Sequence, residues 1–421
     1  MNDSAAAIKA PAQQDRTAIL AAIRNCILKR HFNVGGVDYD EWARRFDDRA
    51  ASWLAGNLDE FEEGIRGALA ELRSSHTVFY HERTNGLLPQ HSIGATTRAF
   101  EHDGVQHWHF LDVFEEGLAE LAGIKRGDIL FSVDGTQYIP PHMPRFRIDT
   151  THRLIVSDAY RERQREVEIK IPFRKGTPER PPIIEPTSPR HAIIQSRTGV
   201  LRIPYFPGPT GVSFANDLDL AIADIKNQGC DRLIIDLRGN IGGSLGFARL
   251  ASYLCPGQLP IGHSLTPKRL RQGYTRDALP RVRMPQSKTA FLWALARFAV
   301  RDKSVMLLTQ GLGPQPFHGR VVILVNEWTN SAAEMLAGFA SENRLATIMG
   351  TKTAGNVLGA VNQRLGGGYW LRVPVFGWYT SQGKCLEGAG VRPDQEIDAA
   401  KDPSEAATDH HMLLAAEVLT N

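Results

Sequence analysis

The chain has 421 residues, 42% of them hydrophobic, enough for two or three domains with full cores. Lys and Arg number 49 against 46 Asp and Glu, and the charges are scattered rather than blocked, which argues against a nucleic-acid or membrane-surface patch. Cys26, Cys230, Cys255 and Cys385 are widely separated, with no C-x-x-C pair and no Cys/His spacing suited to zinc, so they read as free thiols and no metal or cofactor is expected.

The first residues are polar and small, without the basic start and apolar run of a secretory leader. No stretch approaches the roughly 18 apolar residues of a membrane span. A cytoplasmic protein is therefore expected, or a periplasmic one if a leader has been removed. A homo-oligomer is compatible with the sequence but not indicated by it.

From Asp15 to Leu72 apolar residues recur at helical spacing (Ile19, Ile23, Ile27; Phe61, Ile65, Leu69, Leu72), which predicts about three helices broken near Gly36 and Asn57. Between Gln90 and Phe173, short β-type runs such as VQHWHFLDVF, DILFSVDG and REVEIKIPF predict a compact β-rich unit. Arg174 to Pro189 is polar and Pro-rich and reads as a linker. From Thr198 the chain alternates apolar strands (VLRIPYF, RLIIDLRG, RVVILVNE) with helices, the pattern of a parallel or mixed sheet covered on both faces. Cys255 to His318 interrupts it as a long insertion with one helical stretch, KTAFLWALARFAV, placed either as a lid or wall over the sheet or as a decoration.

Two strand-to-helix junctions carry the chemistry. RVVILVNE runs through Trp328, Thr329 and Asn330 into Ser331, which opens the helix AAEMLAGFA. A serine there is a helix cap in most proteins, but the same position suits a nucleophile whose oxyanion would meet unpaired backbone N–H groups. The second junction, IIDLRGNIGGSLG, brings Gly239, Gly242 and Gly243 into a turn whose N–H groups could face such an anion.

DLRGNIGG, NEWTNSAAEMLAGF, GTKTAGN and LEGAGVRPDQEI stand in an order and spacing that resemble the tail-specific and tricorn-core serine peptidases, and AELAGIKRGDILFSVDG resembles the middle of the PDZ domain many of them carry. The resemblance runs from about Leu69 to Ile397 and implies an α/β, α+β multidomain fold. Its parts would be a helical N-terminal region (1–85), a PDZ-like domain (86–174), a linker (175–197) and a ClpP/crotonase-like α/β catalytic domain (198–421, insertion 255–318). It also implies a serine endopeptidase acting on unfolded or C-terminally presented peptides. In the tail-specific branch a lysine stands 25 residues after the serine, but that position here is Asn356, an amide without base character. The tricorn-core pattern fits instead: Ser331 as nucleophile, His76 as base, Ser75 orienting the imidazole and Glu387 polarising Ser75. The oxyanion hole would be Gly242 or Gly243 with Ala332. Ile93, Gly94 and Ala95, after Ser92, would receive a peptide carboxylate by strand addition. A catalytically inactive binding relative and a small-molecule esterase or amidase are the alternatives.

Overall fold

The computed structural model describes residues 13–32, 36–81, 87–102, 104–172, 186–194, 197–208, 210–285, 287, 289–290, 303–313, 316–398 and 403–420. In chain order these form helices α1 (Gln13–Arg30), α2 (Tyr39–Ala55) and α3 (Leu58–Ala70), strand β1 (Val78–His81) and the short helix α4 (Pro89–Ser92). There follow β2 (Ala95–His102), β3 (Val105–Val113), α5 (Leu118–Leu121), β4 (Ile129–Val133), β5 (Thr136–Gln137), β6 (Thr150–Ser157) and β7 (Gln164–Ile171). Next come β8 (Arg190–Ile194), β9 (Thr198–Arg202), α6 (Val212–Asn227), β10 (Arg232–Asp236), α7 (Phe247–Leu254), β11 (Pro260–Leu265), α8 (Pro267–Gln272), β12 (Arg281–Arg283) and β13 (Met306–Leu308). The chain continues through β14 (Arg320–Val325), α9 (Ala332–Glu342), β15 (Thr347–Gly350), β16 (Leu358–Gly366), β17 (Tyr369–Thr380), β18 (Gln395–Glu396), α10 (Pro403–Thr408) and α11 (His410–Thr420).

The helical period read from Ile19, Ile23 and Ile27 is the buried stripe of α1, and Asn57 caps α3 in a reciprocal box with Glu60. These helices cover one face of a sheet ordered β1-β17-β11-β13-β12, with β16 on the other edge of the long strand β17. Tyr369, Leu371, Val373 and Val375 of β17 point into that core, where the Tyr369 hydroxyl donates to buried Glu62 at 2.8 Å. Strand β1 joins β17 antiparallel, Val78 facing Arg372 and His81 facing Tyr369. The N-terminal helical region therefore ends as an edge strand of a sheet built from the last third of the chain, and residues 75 and 76 are carried there with it.

A second sheet, β18-β15-β14-β10-β9-β8, is parallel except for β8. Its strands are apolar on both faces because both are covered: α6, α7 and α9 pack on one, and α11 with Val200, Ile234, Val322 and Met349 on the other. The third sheet, β2-β3-β4-β6-β7 with β5 on β4, is antiparallel and encloses its own core around Ile93, Phe110 and Leu154. The mixed α/β and α+β fold expected from the sequence is what is found.

The insertion, expected as a lid or wall over the sheet or as a decoration, contains regular structure. Its described residues supply β11, β12 and β13, which extend the β17 sheet. KTAFLWALARFAV lies almost wholly outside the described residues, as does most of the Pro-rich linker. Among the described residues no helix is long and apolar enough to cross a membrane, and no group of His, Cys, Asp and Glu is arranged to hold a metal ion.

Phe79 of β1 stacks on Tyr369 with ring centroids 5.0 Å apart and is 4% exposed. Phe79→Ala removes that contact and leaves a cavity at the sheet edge. A loss of about 3–5 kcal/mol in unfolding free energy is expected in a denaturant titration.

Candidate active site

Strand β14 ends at Val325, and the next six residues are held almost entirely by hydrogen bonds. Asn326 N–H donates to the Thr329 hydroxyl (2.9 Å), which donates to Leu237 O (2.9 Å), and Asn330 N–H donates to Asn240 O (2.8 Å). Ser331 then takes φ +54° and ψ −115°, a backbone region rarely used by residues other than glycine and costing roughly 1–3 kcal/mol. Helix α9 begins at the next residue, so Ser331 stands at the positive end of that helix.

What holds Ser331 in this conformation is Glu334, buried inside the first turn. Its Oε2 accepts from Ser331 N–H (3.0 Å) and Asn356 N–H (2.9 Å), and its Oε1 accepts from Gly355 N–H (2.7 Å) and the Thr353 hydroxyl (2.6 Å). Burial pushes the Glu334 carboxyl above its ordinary pKa, and these donors pull it back. Glu334 was not among the expected site residues, although Ser331-x-x-Glu334 is a capping-box pattern that could have flagged it.

The glycine turn after β10 packs against the serine. A Cβ on Gly242 (φ +87°) would lie 2.7 Å from Ser331 Cβ, and one on Gly243 (φ +134°) 2.2 Å from Phe206 O, so glycine is required at both. Of the three N–H groups expected to form an oxyanion hole, that of Gly242 is already used, donating to Asn240 Oδ1 at 2.7 Å. Among the described residues, neither Gly243 N–H nor Ala332 N–H meets an acceptor. Gly243 is also exposed, which makes these two the available pair.

Ser75 and His76 precede β1. The Ser75 hydroxyl and His76 Nδ1 are 2.7 Å apart. Glu387 was expected to polarise that hydroxyl, but its Oε1 accepts instead from the Ser75 backbone N–H (3.2 Å), while Oε2 accepts from Val357 N–H (2.7 Å). Burial first, and the Arg372 guanidinium second, push the His76 imidazole down to about 3, so the ring is neutral at pH 7. His91, on α4, is pushed down to about 4 by the same two causes, and its Nδ1 has no partner among the described residues. Among those residues the only hydrogen bond of the His76 ring is the one to Ser75, and none joins it to Ser331.

Asn356 Nδ2 donates to Asn330 Oδ1 (2.7 Å), placing an amide beside the serine, and Lys352 is exposed. The position of the lysine in the tail-specific pattern is thus filled by an amide. In the β-rich unit, Gly94 (φ +69°) links α4 to β2, but Ile93 N–H already donates to Pro89 O (3.0 Å). Of the expected Ile93, Gly94 and Ala95 loop, Ile93 thus has no free donor for an anion.

Glu334→Ala would strand three backbone N–H groups and the Thr353 hydroxyl in a buried site. Chemical denaturation should show a loss of about 3 kcal/mol or more, against a smaller loss for Glu334→Gln.

Residues 197–397 match the family model described as peptidase family S41. The probable CtpA-like serine protease of Staphylococcus epidermidis is 26% identical over 208 residues, 49% of this chain and 35% of that protein. Its Staphylococcus aureus counterpart is 23% identical over 288 residues, 67% of this chain and 48% of that protein. The chain thus spans less than half the length of these curated relatives. Among solved structures, the photosystem II D1 C-terminal processing protease superposes with a TM-score of 0.53 at 17% identity, covering 94% of this chain and 97% of that one. Mature CPAF complexed with lactacystin gives 0.57 at 14% identity, covering 96% and 98%. At these identities the likeness to the solved structures is one of fold, while the family match covers both strand-to-helix junctions, Asn356 and Glu387. Residues 197–397 of this chain are a peptidase family S41 domain.

Proposed function

We propose that this chain is a serine peptidase in which Ser331 is the nucleophile and His76 the general base. The observation that carries the proposal is the way the two halves share one stretch of backbone. Glu334 binds Ser331 N–H and Asn356 N–H, and Glu387 binds Val357 N–H and Ser75 N–H, so the serine and the Ser75–His76 pair are both tied to residues 356 and 357.

With Nδ1 engaged by the Ser75 hydroxyl, the neutral imidazole presents Nε2 as acceptor. As Ser331 Oγ bonds to the peptide carbonyl carbon, its proton passes to His76 Nε2 and the carbonyl electrons move to oxygen. Gly243 N–H and Ala332 N–H would receive that oxygen. Collapse breaks the C–N bond, His76 returns the proton to the leaving amine, and water, deprotonated by His76, then hydrolyses the acyl-enzyme. His76 and Ser331 close to hydrogen-bonding distance as substrate binds, since catalytic contacts often tighten only in the complex.

We assign the helical region 1–85, the PDZ-like unit 86–174, the linker 175–197 and the catalytic domain 198–421 on the same reading. Unfolded or C-terminally presented peptides are the substrates, and Gly94 and Ala95 form the carboxylate-binding edge. A peptide-binding relative without turnover would share this fold, but the family match and the serine proteases among the relatives weigh against it.

A fluorophosphonate probe should label Ser331, and labelling should be lost in Ser331→Ala and fall at least about 100-fold in His76→Ala. Labelling that survives His76→Ala would remove His76 from the mechanism. A base must be unprotonated, and His76 protonates only near its depressed pKa, so kcat/KM should hold as pH falls through 6.5 and decline well below it. Arg372→Gln removes a cation beside the ring and should move that acid limb to higher pH.

A further inference from the structure

We infer that Asp112 and Gln90 of the β-rich unit are positioning residues of the oxyanion hole, an inference that rests on the peptidase reading above. Asn326, 3% exposed, is the hub. Its Oδ1 accepts from Gly239 N–H (2.9 Å) and from Trp328 N–H (3.1 Å). Gly239 opens the turn that leads to Gly243, and Trp328 stands three residues before Ser331. One side-chain oxygen therefore staples together the two backbones that carry the two halves of the hole.

Both donors are backbone groups and cannot turn round, so the oxygen of the amide must face them and its NH2 must face the other way. There it meets Asp112 Oδ2 at 3.0 Å. Asp112 is fully buried on β3, where it also accepts from the Thr96 hydroxyl (2.8 Å) and from Arg126 (3.2 Å). Only an acceptor fits opposite the Asn326 NH2, and the carboxylate supplies it with no alternative orientation.

The same two residues are held a second time from the same unit. Gln90, 4% exposed, donates through Nε2 to Gly239 O (2.9 Å) and Trp328 O (3.3 Å). Gly239 and Trp328 are thus joined by their N–H groups through Asn326 and by their carbonyls through Gln90. Neither Asp112 nor Gln90 contributes an atom to the reaction. Both fix the separation between Gly243 N–H and Ala332 N–H, and a displacement of about 1 Å there can cost 100-fold in rate.

The test uses the full chain and a quenched peptide substrate. Asp112→Asn turns an amide donor toward either Arg126 or Asn326 and should lower kcat about 10–100-fold with KM within about threefold. Asn326→Asp, which sets two carboxylates face to face, should do at least as much. Combining Asp112→Asn with Asn326→Asp exchanges donor and acceptor, so that an amide NH2 on β3 faces a carboxylate at the hub. That double variant should recover kcat to within about tenfold of wild type. Affinity for a peptide boronate, which needs the oxyanion hole, should fall and recover in step with kcat. A folding effect alone would instead move the thermal midpoint and leave kcat of the folded fraction unchanged. Should a carboxylate variant fail to fold, Gln90→Ala carries the test, with a loss of about tenfold in kcat at unchanged KM. Folded variants with kcat within about threefold of wild type, or a folded double variant that recovers nothing, would overturn the inference. A wild-type chain that neither cleaves peptide nor labels with fluorophosphonate would instead defeat the peptidase reading, and this inference with it.

Discussion

Two carboxylates bound to consecutive stretches of one loop hold the site together. Glu334 accepts from Gly355 and Asn356, and Glu387 accepts from Val357, all through backbone N–H groups. A carboxylate offers about four acceptor positions and no donor, so each can bind two backbone segments at once. Glu334 Oε2, which accepts from Asn356, also holds Ser331 in an unfavourable backbone conformation, and Glu387 uses its other oxygen to hold Ser75. Elements from opposite ends of the sequence are thereby indexed to residues 355–357, and the loop's lack of regular structure is what leaves its N–H groups free to do this.

The β17 sheet makes that indexing reachable. β1 adds to β17 as an antiparallel edge strand, with α1 to α3 packed behind it, which delivers residue 76 to the neighbourhood of residue 387. On the other side of the parallel sheet's end, charge does the work that packing does elsewhere. Arg238, buried, forks to Asp236 and Asp409, and Arg126 bridges Asp112 and Asp409. The surrounding guanidinium groups hold the Asp409 carboxyl well below the usual range, so the network stays ionised. Burying such charges costs several kcal/mol per ion, offset only by full hydrogen bonding. What the network fixes is position: the β-rich unit, the end of β10 and the C-terminal helices α10 and α11 meet on it.

Much of this was legible in the sequence where a local pattern encodes it. Helical period placed α1 and α3, apolar runs placed β10 and β14, and glycines at 242 and 243 marked a turn needing positive φ. Ser331 was marked by its strand-to-helix junction, but Ser75, His76 and Glu387 were singled out only by the joint order of motifs, because no local rule links residues 76 and 331. The donors and acceptors were less accessible. That Gly242 N–H is taken by Asn240, and that Glu387 meets the Ser75 backbone rather than its hydroxyl, depend on separations of a few tenths of an ångström set by tertiary packing. Asn326, Gln90 and Asp112 carry no sequence signal, since their partners are backbone groups or residues as many as 238 positions away. The pairing of the insertion's strands was not legible because short strands such as Met306–Leu308 acquire their partners only from β11 and β12.

The central claim is that a histidine carried on the N-terminal edge strand serves a serine at the start of α9. Its most direct test is the structure of the chain bound to a peptide boronate. The account predicts boron bonded to Ser331 Oγ, one boronate oxygen about 3 Å from both Gly243 N–H and Ala332 N–H, and His76 Nε2 about 3 Å from Oγ or the other oxygen. Boron bonded to Ser331 with His76 Nε2 still not hydrogen-bonded to Oγ or to a boronate oxygen, or with another side chain in its place, would contradict it.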